Sequence, residues 1–280
     1  MNRIEDSFLR GVLAKEPSLT EAEQKLFDLF ERKNVKSRVE RSSQQTLLEF
    51  AKAKVYDLEE VKANIQQVKR KKAENGDKTE RGILLEEMFE AYLSDFLFDD
   101  MVITKTEDYD DRFNKIDFVL EGETKDGQNV YLGIDVTSSN DDTQVQRKLN
   151  DIAEDLRIGK LGRVKYFKSA ETLELRNLEF IPRVVISFNS EKIGYLAEAI
   201  LATVGKNIKV ESVLKECDFL KKDVYDEIIK QLEVQVNSID KDRDKFKREG
   251  QTNLRQRMRN AVLLALEKIK QFQAEKNSAL

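Results

Sequence analysis

Two apolar stretches, each broken by a single aspartate, constrain this chain more than any other feature. In a strand side chains alternate, so in Asn114-Lys115-Ile116-Asp117-Phe118-Val119-Leu120 one face carries Ile116, Phe118 and Leu120 and the other carries Asp117. In Val130-Tyr131-Leu132-Gly133-Ile134-Asp135-Val136-Thr137 the same parity sets Val130, Leu132, Ile134 and Val136 opposite Asp135 and Thr137. Both stretches are rich in β-branched and aromatic residues, which speaks against a purely helical interaction protein. The Asp-Gly dipeptide at 126–127 predicts a hairpin between them.

Whether the two aspartates meet depends on the hairpin register, because a slip of one residue reverses the facing of a whole strand. A two-residue Asp126-Gly127 turn pairs Asp117 with Val136 and keeps the acids apart. A three-residue loop, Lys125-Asp126-Gly127 with Gly127 left-handed, pairs Thr124 with Gln128 and Asp117 with Asp135. Carboxylates crowded into a partly dry site repel each other unless a cation lies between them, and oxygen ligands of this kind suit Mg²⁺ or Mn²⁺.

Around this hairpin the pattern is largely helical. Ser18/Glu21 and Thr20/Glu23 offer two registers of a capping box before apolar Leu26, Phe27, Leu29 and Phe30. Helices are expected at 42–54 and 57–74, the latter ending at the turn signal Asn75-Gly76-Asp77. A helix at 78–98, strands near Val102, at 113–121 and at 129–138, a helix at 141–157, strands at 163–168 and 181–188, and a helix at 191–204 follow. From about Glu211 the chain is helical again, with Gly250 as a break. The expected organisation is an α/β core with a mixed sheet over 77–205, with helical extensions at 1–76 and 206–280 that offer surfaces for a homodimer.

The 280 residues contain no histidine, which removes histidine-based triads, metal sites and general bases. Cys217 is the only cysteine, so neither an internal disulfide nor a cysteine zinc site is expected. Glycine-rich phosphate loops are missing, and metal-assisted hydrolysis by carboxylates is the reaction class that survives best. Without an apolar run of membrane-spanning length or a secretory leader, the reading is a cytoplasmic protein with no membrane association. The net charge of −4 hides segregation: Glu86 to Asp126 holds fourteen acids against four bases, whereas Arg157 to Lys168 holds only bases.

A helix carrying Gly82-x-x-x-Glu86, a strand with Ile116-Asp117, a hairpin, and a strand with Ile134-Asp135-Val136-Thr137 together resemble the PD-(D/E)XK nuclease superfamily over roughly residues 78–190. The resemblance implies a restriction-endonuclease-like αβββαβ core. It also implies metal ligation by Asp117 and Asp135, with Glu86 as a further ligand or water-orienting group. Among the helix glutamates Glu86 borders the apolar face of Leu85, Phe89, Tyr92 and Phe96, while Glu87 and Glu90 turn away. The lysine expected two residues after Asp135 is replaced by Thr137.

On the helix at 141–157 Lys148 lies beside the apolar stripe Val145, Leu149, Ile152 and Leu156, whereas Arg147 turns away, so Lys148 is the expected catalytic replacement. Arg163, Lys165 and Lys168 suit a phosphate backbone, and a second basic cluster (Lys245, Lys247, Arg248, Arg255, Arg257 and Arg259) follows on the late helices. The expected function is Mg²⁺- or Mn²⁺-dependent hydrolysis of phosphodiester bonds, in DNA by the habits of the family. The alternative is a catalytically silent core that binds nucleic acid or serves an assembly.

Overall fold

In the computed structural model, residues 18–38, 43–75, 78–98, 101–139, 142–204, 206, 213–214, 218–241 and 249–278 are described. The turn residues Gly76 and Asp77, Cys217, and Lys245, Lys247 and Arg248 lie outside them. The chain is a mixed α/β protein whose four-stranded mixed sheet is flanked by helices from both ends of the sequence. None of the described helices is long and apolar enough to cross a membrane.

Among the described residues the first three helices are α1 (Glu21–Arg38), α2 (Ser43–Lys52) and α3 (Leu58–Asn75). Of the two capping registers the Thr20/Glu23 one is realised: Thr20 N–H donates to Glu23 Oε2 at 2.6 Å and Glu23 N–H to Thr20 Oγ1 at 3.2 Å. Glu23 is fully buried and also receives Arg81 of α4 (Glu80–Met88), from Nη2 at 2.9 Å and Nε at 3.0 Å. This pair fixes α1 to the helix that carries Glu86.

Helix α4 runs into a π-helical turn (Phe89–Leu93) and a last short turn, α5 (Ser94–Leu97). The wider turn advances the buried face by one residue. Leu93 therefore enters the core, while Tyr92, expected on the buried face, is only partly buried against the Phe30 ring.

The sheet contains β1 (Val102–Lys105), β2 (Phe118–Glu123), β3 (Asn129–Ser138) and β6 (Arg183–Phe188), in the order β1-β2-β3-β6. The first three are mutually antiparallel and β6 runs parallel to β3. The hairpin takes the three-residue loop: Gly127 is left-handed at φ 73°, Thr124 N–H donates to Gln128 O at 2.9 Å, and Glu123 faces Asn129. Phe118 consequently faces Ile134, and Asp117 comes beside Asp135.

Three features depart from expectation. Residues 113–117 are not strand: a helix α6 (Asp108–Asn114) occupies that stretch and ends at Lys115, left-handed at φ 55°, so β2 starts only at Phe118. Ile116 accordingly packs with Val119, and not with Phe118 and Leu120.

The strand at 163–168 does not join the main sheet. As β4 (Gly162–Lys168) it pairs with β5 (Leu175–Ile181) in a separate hairpin. The buried Asp110 carboxylate draws it to α6 by accepting the N–H groups of Lys165 (2.7 Å) and Tyr166 (2.9 Å).

The expected strand at 181–188 is divided at Pro182. Lacking an N–H, Pro182 cannot continue a ladder, and its carbonyl instead takes the Gly133 N–H at 2.8 Å as the chain passes from β5 into β6.

Between β3 and β4 runs α7 (Asp142–Arg157), and β6 is followed by α8 (Ser190–Thr203), α9 (Asp218–Lys241) and α10 (Glu249–Ser278). The largest core cluster takes in Leu26 and Phe30 before the sheet, Phe118, Leu132, Ile134 and Val184 in it, and Ile228, Val262 and Phe272 after it. A smaller cluster on the opposite face, Ile116, Val119, Val164, Phe167, Leu178 and Ile181, seats the β4–β5 hairpin. The outer edge of β6 is occupied by α9 side chains. Gln231 accepts the Val185 N–H and donates to the Val185 carbonyl, both at 2.8 Å, and Gln235 donates to Arg183 O at 2.7 Å.

Candidate functional site

Side-chain parity on β3 decides where the chemistry can lie. Val130, Leu132, Ile134 and Val136 are buried in the main core, so Asp135 and Thr137 face the other way. Tyr131 on that second face contributes to the cluster under the β4–β5 hairpin. Asp117, Asp135 and Thr137 line a cleft of about 670 Å³ with Lys78, Glu86, Asp111, Arg147 and Lys148.

The members arrive from several segments, with Asp135 and Thr137 together on β3 and Arg147 and Lys148 together on α7. Thr106 holds the entry to β2: its hydroxyl donates to Ile116 O at 2.5 Å and its N–H to Asp117 O at 2.9 Å. Asp117, nine-tenths buried, accepts the Val136 N–H on Oδ2 at 2.8 Å, which ties it to β3. Lys148 Nζ reaches Asp135 Oδ1 at 2.5 Å. Glu86 points into the cleft from α4, whereas Glu87 and Glu90 are engaged outside it by Lys105 at 3.5 and 2.9 Å. Thr137, two residues after Asp135 on the same face of β3, is buried.

Two members were not singled out from the sequence. Lys78 stands just before Thr79, the N-cap of α4, whose hydroxyl accepts the Gly82 N–H at 3.2 Å. From there its ammonium enters a nest of three carboxylates: Glu86 Oε1 at 2.5 Å, Asp111 Oδ2 at 2.9 Å and Asp117 Oδ1 at 3.1 Å. Asp111 arrives on α6, a helix of seven residues whose run of acids carries no apolar period to announce it. Arg147, expected to turn away, also lines the cleft.

The electrostatics follow from crowding. Burial, reinforced by the Asp117 charge, pushes Glu86 up to about 7 and Asp111 up to about 6. Asp117 and Asp135 are also raised, chiefly by burial. Burial alone would lower Lys78, but Asp117, Asp111 and Glu86 outweigh it and hold the ammonium charged. Glu86, Asp111, Asp117 and Asp135 share the cleft with the ammonium groups of Lys78 and Lys148, and Lys115, Arg147 and Asp151 also line it.

Among the described residues no three carboxylates form a ready-made metal cage, and Lys78 lies between three of them. The donor set nevertheless suits a hard divalent cation, since it consists of carboxylate oxygens.

The three basic residues expected to hold nucleic acid do not line this cleft. Lys165 is paired with Glu60 at 2.6 Å and lies over the rings of Tyr56, Tyr109 and Tyr166, and Lys168 is paired with Glu49 at 2.8 Å. Arg163 is exposed and borders a neighbouring cleft. In the later cluster Arg255 and Arg259 hold Asp240, and Arg257 lies over the Phe180 ring. Comparisons with protein-family models, curated proteins and solved structures returned no match.

Proposed function

We propose that this chain is a divalent-metal-dependent nuclease built on the PD-(D/E)XK plan, hydrolysing phosphodiester bonds in DNA. The observation that carries the reading is the meeting, in one cleft, of Glu86 from a helix, Asp117 and Asp135 from a hairpin, and Lys148 from the helix after it. The order of helix, three antiparallel strands, helix and parallel strand supports it, with the β4–β5 hairpin as an insertion before the last strand. Asp117, Asp135 and Glu86 would hold Mg²⁺ or Mn²⁺, which supplies Lewis acidity toward the phosphate and lowers the pKa of water.

The side chains of the chain do the rest. Asp135 keeps the Lys148 ammonium on the cleft wall, where it can stabilise charge growing on phosphate oxygens. Asp117 is anchored through Oδ2 by the Val136 N–H, and a metal ion would take Oδ1 in place of the Lys78 ammonium. Thr137 offers a hydroxyl but no charge, so the ammonium must come from elsewhere, and Lys148 meets that need.

The test is cleavage of plasmid and linear DNA by the purified chain with Mg²⁺, Mn²⁺ or a chelator. Metal-dependent cutting that Asp135→Asn abolishes is the expected result, and its absence in every metal removes the enzyme. One observation favours a second reading, a silent nuclease-like module: the Lys78 ammonium already bridges three carboxylates, as a metal ion would. DNA binding without cleavage in any metal would select it.

A further inference from the structure

The acidic cleft opens beside a second one, of about 630 Å³, and Lys115 lines both. Arg183 and Asp155 on its wall neutralise each other at 2.5 Å. Lys160 and Arg163 are exposed and make no ion pair among the described residues, leaving Glu179 as the opposing acid. Lys115 holds Asp151 at 2.5 Å, an exposed pair that is easily exchanged. The acidic cleft thus continues into a basic one.

A second observation points to the same place. Phe180, at this cleft, is one of the four non-glycine residues with positive φ among those described, at 60°. A bulky aromatic residue there is strained, and such strain gathers at binding sites. Phe180 is the extra residue between Glu179, which faces Arg163, and Ile181, which faces Gly162. The irregularity sets its ring at the cleft, with the Arg257 guanidinium 4.2 Å from the ring centre.

We infer that the second cleft holds the strand running on from the scissile phosphate, with Lys115, Lys160 and Arg163 on its phosphates and Phe180 against a base. The inference rests on the nuclease reading and adds to it a single-stranded substrate segment. At about 630 Å³ the cleft has room for part of a nucleotide strand. A basic wall beside an aromatic ring is what single-strand binding requires.

The experiment uses the full chain with Asp117→Asn, a substitution expected to stop cleavage while keeping an acceptor for Val136 N–H. Fluorescence anisotropy with a labelled single-stranded oligonucleotide, and with its duplex, is measured across a salt series in Mg²⁺. Lys160→Gln with Arg163→Gln, both on exposed side chains, should weaken single-strand binding about tenfold and reduce its salt slope by about 1.4, the loss of two phosphate contacts. Lys165→Gln with Lys168→Gln should leave that slope unchanged. An unaltered slope in the first variant, or an effect confined to the duplex, overturns the inference even if the unmutated chain cleaves DNA. The expected losses in a chain that binds but never cleaves would uphold the cleft and remove only the enzyme.

Discussion

Lys148 Nζ lies 2.5 Å from Asp135 Oδ1, although thirteen residues separate the two in sequence. The contact puts an ammonium on the cleft wall where the chain has Thr137 and not lysine. Lys148→Ala should lower turnover by about 10²-fold, the scale for losing one oriented electrostatic donor, with little change in DNA affinity. Single-turnover cleavage at saturating DNA measures this, and wild-type turnover would eliminate Lys148 from the chemistry.

Asp117 has two separable duties, because one oxygen takes the Val136 N–H while the other meets Lys78. Asp117→Ala and Asp117→Asn should both lose metal-dependent cleavage. Alanine also strands a buried donor, so it should be less stable than asparagine by about 1–3 kcal/mol in urea titrations. Equal stabilities would mean that the Val136 contact contributes nothing.

Lys78 pairs with three acids in the metal-free protein. Lys78→Met should destabilise that state by about 2 kcal/mol, below the figure for a fully buried pair because the lysine is partly exposed. The same variant should gain more melting temperature than wild type on addition of Mn²⁺, since the acids left behind attract the ion more strongly. If Mn²⁺ shifts both proteins equally, the acids around Lys78 do not bind metal.

Away from the cleft, burial together with Asp108 and Asp110 pushes Glu107 up to about 8 from an ordinary 4.5. Between those values the unfolded chain has released this proton while the folded chain keeps it. The contribution of Glu107 to stability is therefore complete below about pH 4.5, declines as the pH rises, and has been lost above about 8. Glu107→Gln should gain on wild type in melting temperature from about pH 5 to about pH 9; parallel curves would show that Glu107 titrates normally.

The site was legible where geometry is local. Gly127 tolerates a left-handed turn, which fixes the hairpin register and brings Asp117 to Asp135. The apolar period of α4 separates Glu86 from Glu87, which both precede the π turn, and from Glu90, the second residue of that turn. Later in the turn the same period misassigns Tyr92. Lys148 could be found because its helix has a regular stripe and its stem is long. Lys78 could not, since its partners come from three other segments and nothing beside it marks a cleft. Lys165 and Lys168 resemble free surface cations in sequence because their acids, Glu60 and Glu49, are 105 and 119 residues away.

Gln231 acts on β6 as a one-residue strand, its amide standing in for a peptide group against Val185. A strand offered by another molecule would find those hydrogen bonds taken and the Arg183 carbonyl held by Gln235. The sheet is therefore closed to growth on that side, whether toward fibrillar stacking or a continuous sheet shared by two copies. Copies meeting there would have to touch through helices, leaving the backbone ladder behind them intact.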